Sequence, residues 1–422
     1  MVEKEEKQKG KYQYDPKDQL GKGQFGVVYK GKYIDDKGEE KVVALKTIPE
    51  KILVDRDQME SLYNEISISS KINEENKDDP LSSNENLVKF LDIANIGEKT
   101  FLAYEFCNGG DLKRYLKFCK GFDEKVIQNI ISQVLKGLQF LHSKKIIHHD
   151  IKPENIMVEL CVEGTEEEKR QKIEYIMKIT NPKNKDPNTQ NTYKDYILNV
   201  LEKSKFKITD FGLSKFKKEA NKNQVSGSPM YLDINSFEEN AEIDTLENEK
   251  VDIWAVGALT YELLFNELPF SPFPPFLENL KKVLQKGEYE IDMKKFKLVS
   301  KQFLSFLNVC LQEQQKIRPL ADELLIHEFI SREAEYFKYI YYEDNEDKED
   351  NKDNKDNKDN KDKKDNKDNI IKLRYPIKKK TEEYDKVKYP KGDYLKTKGK
   401  ITMNIRDNRM INATFDSYDQ TK

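Results

Sequence analysis

The chain has 422 residues with 74 Lys and Arg against 77 Asp and Glu, a net charge of -3, so its overall balance points to neither nucleic acid nor an acidic membrane. Its most apolar stretch, "VDIWAVGALTYELLF" at 251–265, is shorter than the ~18 apolar residues of a membrane span and contains Asp252 and Glu262, so it predicts a buried helix. The four cysteines show no CxxC pair and read as reduced thiols in the cytosol, and "MVEKEEKQKGK" has no apolar core of the kind a signal peptide needs.

In chain order, "VVYKGKY" and "VVALKTI" flank the turn signal "DDKG" and predict a hairpin. Met59, Leu62 and Ile66 recur at helical spacing in 57–72, and "NLVKF" and "TFLAYEF" read as strands. After Gly110 the pattern turns helical, with Val126, Ile130, Val134, Leu138 and Leu141 forming one stripe in 123–143. Residues 160–204 interrupt this order. Tyr193, Tyr196, Ile197, Val200 and Leu201 predict one amphipathic helix there, "KRQKIEYIMKI" predicts a second, and "NPKNKDPNT" joins them. Residues 343–369 hold no apolar residue and predict a disordered linker. The segment 370–422 carries 14 Lys and Arg against 7 Asp and Glu, and alternation in "ITMNIR" and "INATF" around "RDNR" signals a β-hairpin. A strand-rich part followed by a helix-rich part is an α+β arrangement of two lobes.

The chemistry begins at "LGKGQFGVVYKG", with Gly21, Gly23 and Gly26. Glycines let a strand-turn-strand approach phosphates and point N–H groups at them, although the pattern alone equally describes a tight hairpin. Strands follow it, which separates it from a dinucleotide-binding turn that opens a helix. The next strand carries "VALK", where Ala44 and Lys46 share a face. A small residue there leaves room for a flat base, and the lysine can reach phosphates.

This combination resembles the glycine-rich loop and lysine strand of the protein kinase family, and later motifs follow in that family's order. Glu65 in "NEISI" matches the partner of Lys46. "YEFCNGGDL" resembles the hinge, where the resemblance implies that backbone at Glu105 and Cys107 bonds adenine, Tyr104 stands at the gate and Asp111 meets the ribose. Met157 would lie under the adenine with Val28 and Ala44 above it. "HHDIKPEN" matches the catalytic loop, and a metal cluster of His148, His149 and Asp150 is set aside because adjacent side chains rarely converge on one ion. In the family's terms His148 packs, Asp150 is the catalytic base, and Lys152 steadies the transferring group and points to serine or threonine acceptors. Asn155 and Asp210, the latter in "ITDFGLSKF", would hold Mg²⁺. "GSPMY" at 227–231 matches the substrate-positioning loop, Asp252 would brace the catalytic loop, and "KIRPLADELLIHEFI" matches the closing helix with Arg318. The wording is most similar to autophagy-initiating kinases, then to calcium/calmodulin-dependent-like kinases.

Three positions depart from the family. His149 replaces the arginine that commonly grips a phosphorylated activation loop. Asn235 stands where a glutamate usually pairs with the arginine equivalent to Arg318, so Arg318 is expected to lack its ionic partner. Ser69 replaces a bulky apolar residue on the helix that packs against Phe211.

The resemblance therefore implies a bilobal α+β protein kinase domain over 14–330, with a small lobe at 14–104, a larger helical lobe at 108–330 and the insertion at about 160–204. It implies a cytoplasmic serine/threonine kinase using ATP and Mg²⁺ on protein substrates, without nucleic acid or a membrane span. A regulatory partner is expected on the insertion or the tail. The competing class is a pseudokinase acting as a nucleotide-binding scaffold. Presence of all of Lys46, Glu65, Asp150, Asn155 and Asp210 favours activity.

Overall fold

The computed structural model describes residues 11–23, 26–49, 56–73, 84–183, 186–216, 227–233, 249–269, 288–292, 299–312, 314–331 and 339–340, together with strands at 370–374, 394–396, 401–406 and 409–415. The expected linker at 343–369 lies outside them, as does Asn235.

The first lobe is an antiparallel sheet built from β1 (Lys11–Gly23), β2 (Gly26–Ile34), β3 (Glu40–Thr47), β4 (Phe90–Ile96) and β5 (Lys99–Glu105), in the order β1-β2-β3-β5-β4. In β3 the pleat sends Val43 and Leu45 into the lobe's core with Phe101 and Ala103, which leaves Ala44 and Lys46 on the other face. The strand expected over 86–90 is displaced: only Phe90 of that stretch belongs to β4, and Leu87 instead makes an isolated bridge to Ile208. Helix α1 (Arg56–Ile72) crosses between β3 and β4. Of its apolar repeat, Leu62 and Ile66 pack against the cluster around Val88 and Leu102, while Met59 is 44% exposed. Glu65, Ile68, Ser69 and Ile72 are buried, Glu65 because it turns inward to meet a charge from β3.

The second lobe is helical. Helix α2 (Leu112–Cys119) is capped by Asp111 and α3 (Glu124–Ser143) by Asp123, each aspartate accepting from a first-turn N–H. The stripe Val126, Ile130, Val134, Leu138 and Leu141 on α3 is buried throughout. It faces short pairs formed by β6 (Ile146–Ile147) with β9 (Lys215–Phe216), and by β7 (Ile156–Glu159) with β8 (Lys205–Ile208). Helix α6 (Lys250–Phe265) is apolar on nearly every side and accordingly runs through the centre of the lobe, against α3 and α7 (Lys301–Cys310). Among the described residues no helix is long and apolar enough to cross a membrane.

The insertion grows from the end of the β7–β8 hairpin as α4 (Glu166–Ile179) and α5 (Pro187–Lys203). A reciprocal Thr165–Glu168 capping box starts α4, and Asp186 caps α5. Ile176, Ile179, Ile197, Val200 and Leu201 join the main core, so both helices are bound to the lobe by apolar burial. Towards the C-terminus Glu288–Asp292 pairs antiparallel with Ile370–Arg374, and Ile401–Arg406 pairs with Arg409–Phe415.

Candidate active site

Between the lobes, β1 and β2 close at Gly23 opposite Gly26. Gly26 has φ +152°, and a Cβ there would stand 2.3 Å from the Thr47 carbonyl oxygen, so only glycine lets β3 approach this closely. Gly21 pairs with Val28, and Val28 with Lys46, which brings the glycine strand over the lysine.

Lys46 Nζ donates to Glu65 Oε1 at 2.6 Å and lies 3.6 Å from Asp210 Oδ1. Burial by itself lowers the lysine pKa, but the Glu65 and then the Asp210 carboxylate outweigh it and hold the ammonium above its ordinary value. The Tyr104 hydroxyl donates to the same Glu65 oxygen at 2.7 Å. Burial, followed by the Glu65 charge, pushes the phenol pKa well up and keeps it a donor. That contact has no motif to announce it, because a tyrosine at the gate reads from sequence only as bulk.

At the hinge the Glu105 N–H is taken by Lys89 O, while its carboxylate accepts from Lys89 N and from Lys207 Nζ at 2.7 Å. Neither the Glu105 side chain nor its N–H is therefore left to serve the pocket. Cys107 is buried, with its thiol pushed up to about 12 by burial, so it is inert. Met157 and Ala44 pack with Val88, Leu102, Tyr104 and Cys107, forming an apolar slot beside the hinge. Asp111 bridges to Met157 through the backbone, and one of its oxygens is occupied by the Arg114 N–H.

The loop 148–155 is hung from α6. Asp252, wholly buried, accepts from the N–H groups of His148 and His149 at 2.9 and 2.8 Å and contacts His142 Nε2 at 2.9 Å. Burial works to raise the Asp252 pKa, but the facing histidines, His142 foremost, bring it below the usual range. His148 Nδ1 accepts from the Asp150 N–H, which leaves the ring proton on Nε2 to be donated to Thr209 O at 3.1 Å. The same ring meets Phe211 edge-on. His149 has φ +66°, a buried Nε2 with no hydrogen-bond partner, and a pKa lowered to about 4 by burial. The two histidines thus diverge, and among the described residues no three His, Cys, Asp or Glu side chains gather as a metal shell.

Asp150 collects the site's donors. Its Oδ2 accepts from Lys152 Nζ at 2.6 Å and from Asn155 Nδ2 at 2.7 Å, and its Oδ1 accepts from the Ser228 hydroxyl at 2.8 Å. Burial opposes ionisation, but Lys152 and then Ser228 more than offset it and lower the carboxyl pKa. Lys152 also donates to Ser228 Oγ at 2.8 Å, so this loop is locked to the activation segment, the stretch that runs on from Asp210 to Asp233. Asp210 adopts φ 66° and ψ 77°, and its Oδ1 is buried without a hydrogen bond. That oxygen faces the Lys46 ammonium, and the neighbouring Thr209 N–H donates to Asn155 O, so a carboxylate and an amide residue sit close in the chain's fold as hard-oxygen donors of the kind a divalent cation takes alongside phosphate oxygens.

The expectation that Arg318 lacks an ionic partner is overturned. Asp233 pairs with it through both carboxylate oxygens, at 2.5 and 2.7 Å, and neither side chain is exposed. Asp233 is the only acid in "GSPMYLDIN", and that was the available signal. Ser69 is buried with its Oγ unsatisfied. Gly23 is placed by its backbone alone. The structure brings Lys46, Glu65 and Asp210 into one group, Asp150, Lys152 and Asn155 into a second, and Ala44, Cys107 and Met157 into one apolar cluster.

The protein kinase domain family profile matches residues 14–330. The human serine/threonine-protein kinase ULK1 is 26% identical over 322 residues, covering 76% of this chain and 25% of the relative. The serine/threonine-protein kinase unc-51 of Caenorhabditis elegans is 28% identical over 272 residues, covering 63% and 26%. The calcium/calmodulin-dependent protein kinase type 1 of the same worm is 27% identical over 330 residues, covering 76% of each chain. The chain spans about a quarter of the length of the first two relatives.

Proposed function

The chain belongs to the protein kinase domain family, and we propose that it is an active serine/threonine protein kinase that transfers the γ-phosphoryl group of Mg·ATP to protein hydroxyls. The observation that carries this reading is the Lys46–Glu65 ion pair at 2.6 Å with Asp210 Oδ1 beside the same ammonium. Removing Lys46 leaves the buried Glu65 charge uncompensated, at a cost of about 3–5 kcal/mol. Bound Mg²⁺ would supply charge neutralisation and orientation of the phosphate oxygens.

The chain's own residues do the rest. The slot of Ala44, Val28 and Met157 receives the base beside the Glu105 and Cys107 main chain, with Asp111 on the ribose side. Lys46 contacts phosphate oxygens while Glu65 holds it in place, and Gly21, Gly23 and Gly26 let the backbone close over them. Asp210 and Asn155 offer the metal its protein oxygens. Asp150, kept ionised, accepts the proton of the attacking hydroxyl, and Lys152 balances charge on the transferring group. Positioning and electrostatics thus supply most of the catalysis.

The test is transfer of labelled phosphate from Mg·ATP to a generic basic protein by the full chain, followed by phosphoamino-acid analysis. Label on serine or threonine supports the proposal. Nucleotide binding without transfer would make the chain a pseudokinase scaffold.

A further inference from the structure

Residues 108–111, which the proposed function places beside the adenine and ribose, contain two glycines. A Cβ on Gly109 would stand 2.7 Å from the Val158 carbonyl oxygen, and Gly110 has φ +71°. At those two positions the turn has no side chain with which to anchor itself, so its shape must be imposed from outside. Gly109 N–H donates to Val158 O, Val158 N–H donates to Gly110 O, and Leu160 N–H donates to Asn108 Oδ1. The buried Tyr115 hydroxyl donates to Gly109 O at 2.7 Å.

The last turn of inserted helix α4 closes the underside. Met177 Sδ is 3.8 Å from the Tyr115 hydroxyl, and Met177 Cε lies 3.6 Å from where a Gly110 Cβ would be. Arg114 Nη1 donates to Met177 O at 3.1 Å, a cation placed at a helix C-terminus where free carbonyls gather negative charge. The same Arg114 gives its backbone N–H to Asp111 Oδ1. Met177 is carried by a fixed turn, since Ile176, Ile179 and Thr180 around it are buried and Thr180 Oγ donates to Ile176 O.

We propose that Met177 is a positioning residue for the nucleotide site: through Tyr115, Gly110 and Arg114 the inserted helix holds the hinge turn and Asp111 in the geometry that receives adenosine. The insertion is then part of the nucleotide site's supporting shell and not an ornament on the lobe. The inference rests on the reading of 104–111 as the adenosine-binding segment. A flexible thioether suits the task, because it fills the space over a glycine without a fixed shape.

The test uses the full chain as wild type, Met177→Ala, Met177→Leu and Tyr196→Ser, the last on the exposed face of α5. Calorimetric Mg·ADP affinity, KM for ATP, kcat and melting temperature are measured for each. Met177→Ala is expected to weaken ADP binding and raise KM by about tenfold, equivalent to about 1.4 kcal/mol, with kcat within about twofold. Met177→Leu should return both values close to wild type, and Tyr196→Ser should leave them unchanged. A Met177→Ala protein that melts lower yet binds ADP normally would overturn the proposal, as would a loss of kcat at constant KM. Failure of the wild type to bind ADP would sink the proposed function, and this inference with it.

Discussion

Arg318 and Asp233 form a two-point ion pair from which solvent is excluded on both sides, and the guanidinium also lies 4.8 Å over the Trp254 ring on α6. The pair ties the end of the activation segment to the helical core. Two parallel N–H···O bonds fix direction as well as distance, which a lysine could not do.

Asp233→Asn should therefore destabilise the domain by about 3–5 kcal/mol, because it leaves a buried guanidinium without its counter-charge. Urea unfolding of the two proteins measures this directly. A loss under about 1 kcal/mol would mean that the Gln312 and Lys250 carbonyls, which also accept from Arg318, suffice to hold it.

Two buried histidines set the acid limb of stability. His149 has its pKa lowered to about 4 and His327 to about 3, both chiefly by burial. The unfolded chain binds these protons near pH 6.5 and the folded chain does not. Stability should then fall as pH drops from about 6.5 towards 4, by up to about 1.4 kcal/mol per unit for each histidine. Asp150 and Asp252, with lowered values, lose their contribution only below the ordinary aspartate range near 3.8. Glu124, raised by burial and then moderated by Ser300, acts in the opposite sense above 4.5. His327→Gln should flatten the slope between pH 4 and 6.5. An unchanged slope would show that the ring is hydrated in solution.

Regulation follows from the same burial. A neutral His149 offers no charge to a phosphate, so phosphorylation has no grip at this position. Ser226, the serine just before Gly227, lies outside the described residues. Ser226→Ala and phosphatase treatment should each leave activity within a few-fold of wild type. A fall of a hundredfold or more would show that another cation, such as Lys215, replaces the missing arginine.

Helix α1 is coupled to the activation segment without phosphate. Ser61 Oγ donates to Gly212 O at 2.5 Å, and Lys71 Nζ sits 4.7 Å over the Phe216 ring. Phe216→Leu, which removes the quadrupole and keeps the apolar bulk, should lower kcat severalfold by loosening Glu65 from Lys46. Unaltered kcat and KM would mean that the Ser61 bond alone holds the helix.

The site was legible in the sequence wherever a residue's role depends on local spacing. Ala44 and Lys46 alternate on one strand, and Asp150, Lys152 and Asn155 sit within one short loop, so their chemistry survives being read linearly. The stripe on α3 was legible because one apolar face meets one core. Met59 was not, because α1 turns inward the residue whose charge is matched, and that choice is made by Lys46 on another strand. Asp233 was missed for a related reason. A carboxylate two positions early can reach the same guanidinium, and only packing reveals that reach. The contact of Met177 with the hinge joins residues more than sixty apart and has no pattern at all.

Phosphotransfer by the full chain is to be measured against that of its Asp210→Asn variant, with Mg·ATP binding and melting temperature recorded in parallel. Transfer to serine or threonine is expected from the wild type and nearly none from a variant that remains folded, because the amide no longer offers a charged oxygen beside Lys46. Equal turnover by the two proteins, or no transfer by a wild type that binds nucleotide, would contradict the proposed kinase activity.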